Sequence, residues 1–256
     1  MATTSCASDQ QVGSPAVRPS ATSILLWNLE WASPRSQRGR RIRSRVAELA
    51  PNIVCLTEAT AAMLPDDGFV LDAQPDYGYG ATGDRRTVLL WSRSPWSAVD
   101  RVGDEALPGG RYVSGVTQGT RFVGVCVPWR DAHVRTGRRD REPWEDHRRY
   151  LGALHGVVRT HAAAPEPLVV LGDLNQRVPR YRQPPAVYAA LQRVLGEGLL
   201  ACPTADDADW VQAQIDHLFV GAGAVVLDVR VLPRVADDGL RLSDHDGLMV
   251  RLSIHP

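Results

Sequence analysis

At 256 residues the chain is long enough for one large domain or two small ones, and its formal net charge of zero argues against a generally basic protein that coats nucleic acid. All of its basic residues are arginine, so no lysine is present to form a Schiff base or to serve a phosphate-binding P-loop. The four cysteines, Cys6, Cys55, Cys126 and Cys202, show no spacing that implies a zinc site or a disulfide framework, and no apolar run approaches the length of a membrane span.

The N-terminal segment lacks a basic start followed by an apolar stretch, so it does not read as a secretory signal. Its Ser, Thr, Ala and Pro content predicts a loose tail over residues 1–21, ahead of a single domain over residues 22–256. A reducing cytoplasm and a monomeric state are the corresponding expectations. The run "SILLWNLEWA" from Ser23 is short, apolar and bounded by polar segments, which predicts a buried strand. "SQRGRRIRSRVAELA" follows, with Ile42, Val46 and Leu49 at helical spacing, arginines on the other face and Pro51 as the stop. "NIVCLTE" is a second buried strand closing on Glu58. Strand, helix and strand in this order predict a parallel pair in a layered α/β fold.

The next segments, "GFVLDA", "TVLLWS", "WSAVDRV", "RYVSGVTQ" and "TRFVGVCVP", are short strand-like runs separated by Gly, Asp, Pro and Arg, and predict a mostly antiparallel meander. An arginine-crowded loop spans Val127 to Glu142, its charge partly balanced by Asp131, Asp140 and Glu142. A helix is predicted from Pro143, with Trp144, His147, Leu151, Leu154 and Val158 on one face. "EPLVVLGDLNQR" is a buried strand running into a polar loop, and "PPAVYAALQRVLG" is a helix stopped by Gly196. "AQIDHLFVG", "AVVLDVRVL" and "DGLMVRLSI" complete the strands.

Five places put acids, amides or histidines at strand ends: Asn28, Glu58, the pair Asp173 and Asn175, the pair Asp216 and His217, and the pair Asp244 and His245. Loops at strand ends of layered α/β folds collect ligands. Carboxylate and amide oxygens converging there suit a hard cation such as Mg²⁺ or Mn²⁺, and a histidine beside them can exchange protons near neutral pH. Each piece alone reads more plainly as a turn or a cap. His217 follows Asp216 directly and faces the other side of a strand, so it is expected to be structural, as is Thr57 beside Glu58.

Taken in order, "LLWNLEW", "LTE", "GDLN", "IDHLF" and "SDH" resemble the endonuclease/exonuclease/phosphatase family, also called the DNase I-like fold. The resemblance covers nearly the whole chain after the tail. It implies a four-layered α/β sandwich, two mixed and mostly antiparallel sheets flanked by helices. It also implies a Mg²⁺- or Mn²⁺-dependent hydrolase of a phosphodiester or phosphomonoester, with nucleic acid as the first substrate class. By resemblance, Glu58 is the principal metal ligand, with Asn28 beside it and Asp244 completing the site or its water shell. Asp173 and Asn175 position the attacking water and phosphate oxygens, His245 acts at the phosphate, and Asp216 orients His245. The role of base stays shared between Asp173 and His245.

The sequence departs from the family where a His or Tyr often follows the strand before the long helix. Here Pro128 is followed by Trp129 and Arg130, with His133 nearby, and these three are the expected substrate-facing residues. "GDLNQR" looks like the inositol polyphosphate phosphatases, yet their later "WCDR" pattern is absent. Apurinic endonucleases carry an Arg where Gln214 stands. A small molecule or lipid head group therefore remains an alternative substrate, and a catalytically silent binding module an alternative function.

Overall fold

The computed structural model describes residues 21–80, 83–196, 198–205 and 214–255. The tail predicted over residues 1–21 lies outside them except for its last residue.

The predicted strand at Ser23 becomes β1 (Thr22–Asn28), and the strand closing on Glu58 becomes β2 (Ile53–Thr60). They pair in parallel, as the intervening helix α1 (Gln37–Leu49) requires. Ser36 caps that helix by accepting the Gly39 N–H, and Ala50 in the left-handed region ends it before Pro51. Strands β3 (Phe69–Asp72) and β4 (Arg85–Ser92) add to the same sheet by antiparallel pairing.

The chain then moves to a second sheet with β5 (Ser97–Asp100), β6 (Tyr112–Thr117) and β7 (Thr120–Cys126), an antiparallel run as expected. A second strand–helix–strand unit follows: α2 (Glu145–Ala162) carries the chain from β7 to its parallel partner β8 (Leu168–Asp173). After α3 (Pro185–Leu195), β9 (Asp216–Val220) pairs antiparallel with β8. Strands β10 (Ala224–Leu232) and β11 (Gly247–Ile254) return to the first sheet. The sheet orders are β10-β11-β1-β2-β4-β3 and β5-β6-β7-β8-β9.

The side chains of β1 show why the layers form. Ile24 and Leu26 point into the core between the sheets, where they meet Val113, Phe122, Val169 and Leu171 of the second sheet. Leu25 and Trp27 point the other way, onto Ile42 and Val46 of α1. The outer face of the second sheet is covered by Tyr150, Leu151, Leu154 and Val158 of α2 and by Leu191 and Val194 of α3. A strand buried on both faces needs an unbroken apolar run, and that run is what its sequence shows. The result is the four-layered α/β sandwich.

One boundary differs from expectation. The long helix starts at Glu145, because Trp144 adopts a left-handed conformation (φ 69°) just before it. The Trp144 ring still packs edge-on against His147, at 5.0 Å between centroids. Glu145 and Asp146 then occupy the first turn, where negative charge favours the helix dipole.

Gly172 sets how closely β7 and β8 approach, immediately before Asp173. Its φ is +144°, and a Cβ there would lie 1.9 Å from the Val125 carbonyl oxygen. Gly172→Ala is expected to lose at least about 3 kcal/mol of unfolding free energy in urea denaturation. A loss below about 1 kcal/mol would show that the β7–β8 spacing is not rigid.

Candidate active site

The two sheets open at one end, and the chemically active side chains collect there. Asn28 ends β1, and its register partner in β2 is Thr57, so Glu58 comes next along the same edge. Thr57 is fully buried, on the opposite face from Glu58. Glu58 has φ 49°, unusual for a residue with a side chain. Asp173 ends β8, and its partners on either side are Cys126 of β7 and Asp216 of β9. Two carboxylates thus stand directly opposite each other in an antiparallel ladder, a costly pairing for like charges.

Asp173 is heavily held. Its carboxylate accepts the Asn28 amide at 3.1 Å, the Asn175 main-chain N–H at 2.8 Å and the Asn175 side-chain amide at 3.3 Å. Burial, and then the neighbouring Asp216 carboxylate, push its pKa up to about 7. The Asn175 amide also donates to the Val127 carbonyl at 2.9 Å, tying the loop after β8 to the loop after β7.

His245 sits on a loop clipped to the end of β1. Ser243 Oγ donates to the Asn28 carbonyl at 2.6 Å and accepts the His245 N–H at 3.2 Å, while Trp27 Nε1 donates to the His245 carbonyl at 3.0 Å. The imidazole Nδ1 is 2.5 Å from Asp216 Oδ2, which leaves Nε2 towards the cleft, 3.8 Å from Asp244 Oδ1. Burial alone would lower the His245 pKa, but the carboxylates of Asp216, Asp173 and Asp244 outweigh it and raise it to about 10.

Asn28, Glu58, Asp173, Asn175, Asp244 and His245 line one cleft of about 380 Å³, and Asp216 lies beneath His245. Of the three residues expected to face substrate, Trp129 lines this cleft; Arg130 and His133 do not. Arg130 is exposed and its guanidinium faces Asp131 at 3.6 Å. His133 lines the adjoining chamber, where its ring is clamped: Nδ1 accepts the Arg138 N–H and one face stacks on Tyr79 at 4.4 Å. The left-handed turn at His133 (φ 56°) carries it to that chamber, and no alternation rule foretells such a turn.

Sequence reasoning missed Arg111. It is only 6% exposed, lines both the cleft and the adjoining chamber, and donates to the Cys126 carbonyl at 3.3 Å. Among the described residues no carboxylate lies within ion-pair distance of it. Nothing in "PGGRYV" separates it from the other arginines of the chain; only its burial does. Trp31, Tyr77 and Tyr79 were missed likewise, and all three line the cleft.

The chain matches the endonuclease/exonuclease/phosphatase family over residues 25–245. It belongs to that family. Solved structures of the same fold include the 3′ phosphatase NExo from Neisseria bound to a product DNA hairpin, at 18% identity and TM-score 0.63, covering 90% of this chain and 98% of that one. D. rerio TDP2 complexed with a single-strand DNA product shares 15% identity at TM-score 0.63, covering 91% and 99%. An AP endonuclease from Archaeoglobus fulgidus shares 15% identity at TM-score 0.60, covering 90% and 98%. No curated protein sequence matches the chain significantly. Within this family member, no helix among the described residues is long and apolar enough to cross a membrane.

His217 turns away from the cleft, as its place in the strand predicts. It joins His147 in a buried polar layer on Gln176: His217 Nε2 donates to the Gln176 carbonyl at 3.1 Å, and the Gln176 amide meets His147 Nε2 at 2.7 Å. Burial lowers both histidines to about 4, so both fold neutral. A histidine with a depressed folded pKa binds its proton first in the unfolded chain, so its contribution to stability is lost as pH falls from about 6.5 towards 4. The destabilisation caused by His217→Gln should therefore be largest at pH 7 and shrink by about 2 kcal/mol at pH 5, measured by denaturant titration at both values. A constant difference would mean that folding does not depress the His217 pKa.

Proposed function

We propose that this chain is a divalent-metal-dependent phosphoesterase that hydrolyses a phosphate ester, with nucleic acid as the first substrate class. The observation that carries the reading is the convergence of Glu58, Asp173, Asn175, Asp244 and His245 on one cleft, with the His245 imidazole held by Asp216. The nucleic-acid preference draws on relatives of the same fold captured with DNA products.

The donor set fits a hard cation. Glu58 makes no side-chain hydrogen bond among the described residues, and burial, followed by Asp244 and Asp216, raises its pKa against the opposing pull of His245 and Arg111. A carboxylate in that position is short of positive charge. Glu58 and Asp244 are the residues we assign to the ion. Asn28 would stand beside it, although its amide oxygen already accepts the Glu30 N–H at 2.9 Å and its amide nitrogen orients Asp173. Asp173, Asp216 and His245 also bring donor atoms within 4.8 Å of one another. The hydrogen bond between Asp216 and His245 lies inside that group, so we assign it to proton handling. A bound divalent cation would neutralise phosphate oxygens and lower the pKa of a coordinated water.

The protein groups divide the remaining work. Asp173 accepts the proton of the attacking water, and Asn175, held to the Val127 carbonyl, fixes the water and a phosphate oxygen in line. His245 Nε2 faces the phosphate, with its other nitrogen fixed by Asp216. Arg111 supplies the planar cationic donor that the residues after Pro128 do not, and binds a non-bridging oxygen.

His245→Ala should abolish turnover of phosphate esters in Mg²⁺ or Mn²⁺ while leaving the circular dichroism spectrum unchanged. Retained turnover would sink the assignment. Glu58→Gln should raise the metal concentration needed for half-maximal rate by at least about 10-fold. Arg111→Met should cost about 10²- to 10³-fold in kcat/KM, with Arg111→Lys recovering only part. The substrate panel spans single- and double-stranded DNA, abasic DNA, nucleotide diesters and inositol phosphates.

A further inference from the structure

Four aromatic side chains, Trp31, Tyr77, Tyr79 and Trp129, share the cleft with the groups assigned to catalysis. Three of them form a continuous stack. The Trp31 and Tyr77 rings are 5.8 Å apart and inclined at 19°, and Tyr77 and Tyr79 are 5.8 Å apart at 33°. The stack ends on His133. Guanidinium groups lie over it as well, Arg85 at 5.2 Å from the Trp31 ring and Arg111 at 5.7 Å from the Tyr77 ring.

Trp129 is different. Its residue is 43% exposed, and among the described residues its ring meets no other aromatic or cationic group. Trp31 reaches the rim through two consecutive left-handed residues, Glu30 at φ 48° and itself at φ 54°. That conformation is uncommon for residues with side chains. It is locked to the catalytic strand, because Trp31 N donates to the Glu58 carbonyl at 2.8 Å.

We propose that this rim is a nucleobase-stacking site, so that the substrate presents an unpaired base beside the phosphate that is cleaved. The position of that phosphate rests on the phosphoesterase reading above; the stacking surface does not. Loop packing accounts for the contact of Tyr79 with His133. It does not account for an indole left open at the lip of the cleft, nor for a strained turn that carries a second indole to the same rim. A sugar or inositol ring is puckered and rich in hydroxyls, and asks for hydrogen-bonding partners. A nucleobase has two flat faces, and every base can use a ring platform whatever its sequence. A base inside a duplex has those faces covered by its neighbours, so the geometry favours single strands, frayed ends or nucleotides.

The test compares a short single-stranded oligothymidylate with the same backbone carrying abasic residues. Both are titrated into the full-length protein with chelator present, so that turnover plays no part, and tryptophan fluorescence is followed. The base-bearing strand should quench the fluorescence and bind at least about 10-fold more tightly. Trp129→Ala and Trp31→Ala should each erase most of that preference, and Trp129→Phe should keep most of it. Equal affinity for the two strands, binding of neither, or a preference untouched by both alanine variants would overturn the proposal. Turnover is then measured on the same pair with metal. A base preference without turnover of any ester would leave the stacking site standing and remove the phosphoesterase reading. Turnover with no base preference would do the reverse.

Discussion

At the cleft end, side-chain hydrogen bonds from Asn28 and His245 cross the seam between the sheets, and the cleft depends on them. Asn28 of β1 donates to Asp173 of β8, and His245 Nδ1, on the loop before β11, is hydrogen-bonded to Asp216 of β9. Each joins a group of the six-stranded sheet to a carboxylate of the five-stranded one. The core between the sheets is apolar and non-directional, so it fixes their spacing without fixing their relative slide. The two polar bonds fix it at the end where it matters. The Ser243 hydroxyl, bonded to the ends of both β1 and the His245 loop, holds the first sheet's side of the arrangement.

That seam gathers negative charge. Asp173 and Asp216 are opposed in register, and Glu58 and Asp244 face them across the cleft. The imidazole of His245 and the buried guanidinium of Arg111 offset only part of it. Burial first, and the neighbouring carboxylates after it, raise the pKa values of Glu58 and Asp173.

The arginine-rich loop after β7 contributes less positive charge than its composition implies. Arg138 and Arg141 both bind buried Asp146, so the first turn of α2 absorbs these charges. Arg130 is turned to Asp131. Arg111 remains without a carboxylate partner among the described residues, and it comes from a different strand. Charge read along the chain pointed to Arg130, whereas the arginine that lines the cleft is Arg111.

The sequence by itself determined the layers and the catalytic candidates. Continuous apolar runs marked β1, β2 and β8 as strands buried on both faces. Short motifs such as "GDLN" and "SDH" placed Asp173, Asn175, Asp244 and His245 at strand ends, because strand ends and their turn residues are local properties. Alternation also separated His217 from Asp216 and Thr57 from Glu58 correctly. Only the tertiary structure decided which side chains meet. Arg130 and His133 were placed at the phosphate because they lie close in sequence to Pro128, but a left-handed turn redirects the chain there. Arg111, Trp31, Tyr77 and Tyr79 reach the cleft from separate loops that no local pattern connects. Contacts of that kind depend on how two sheets pack and where they open, and the pairing of distant segments is written in no single stretch of the chain.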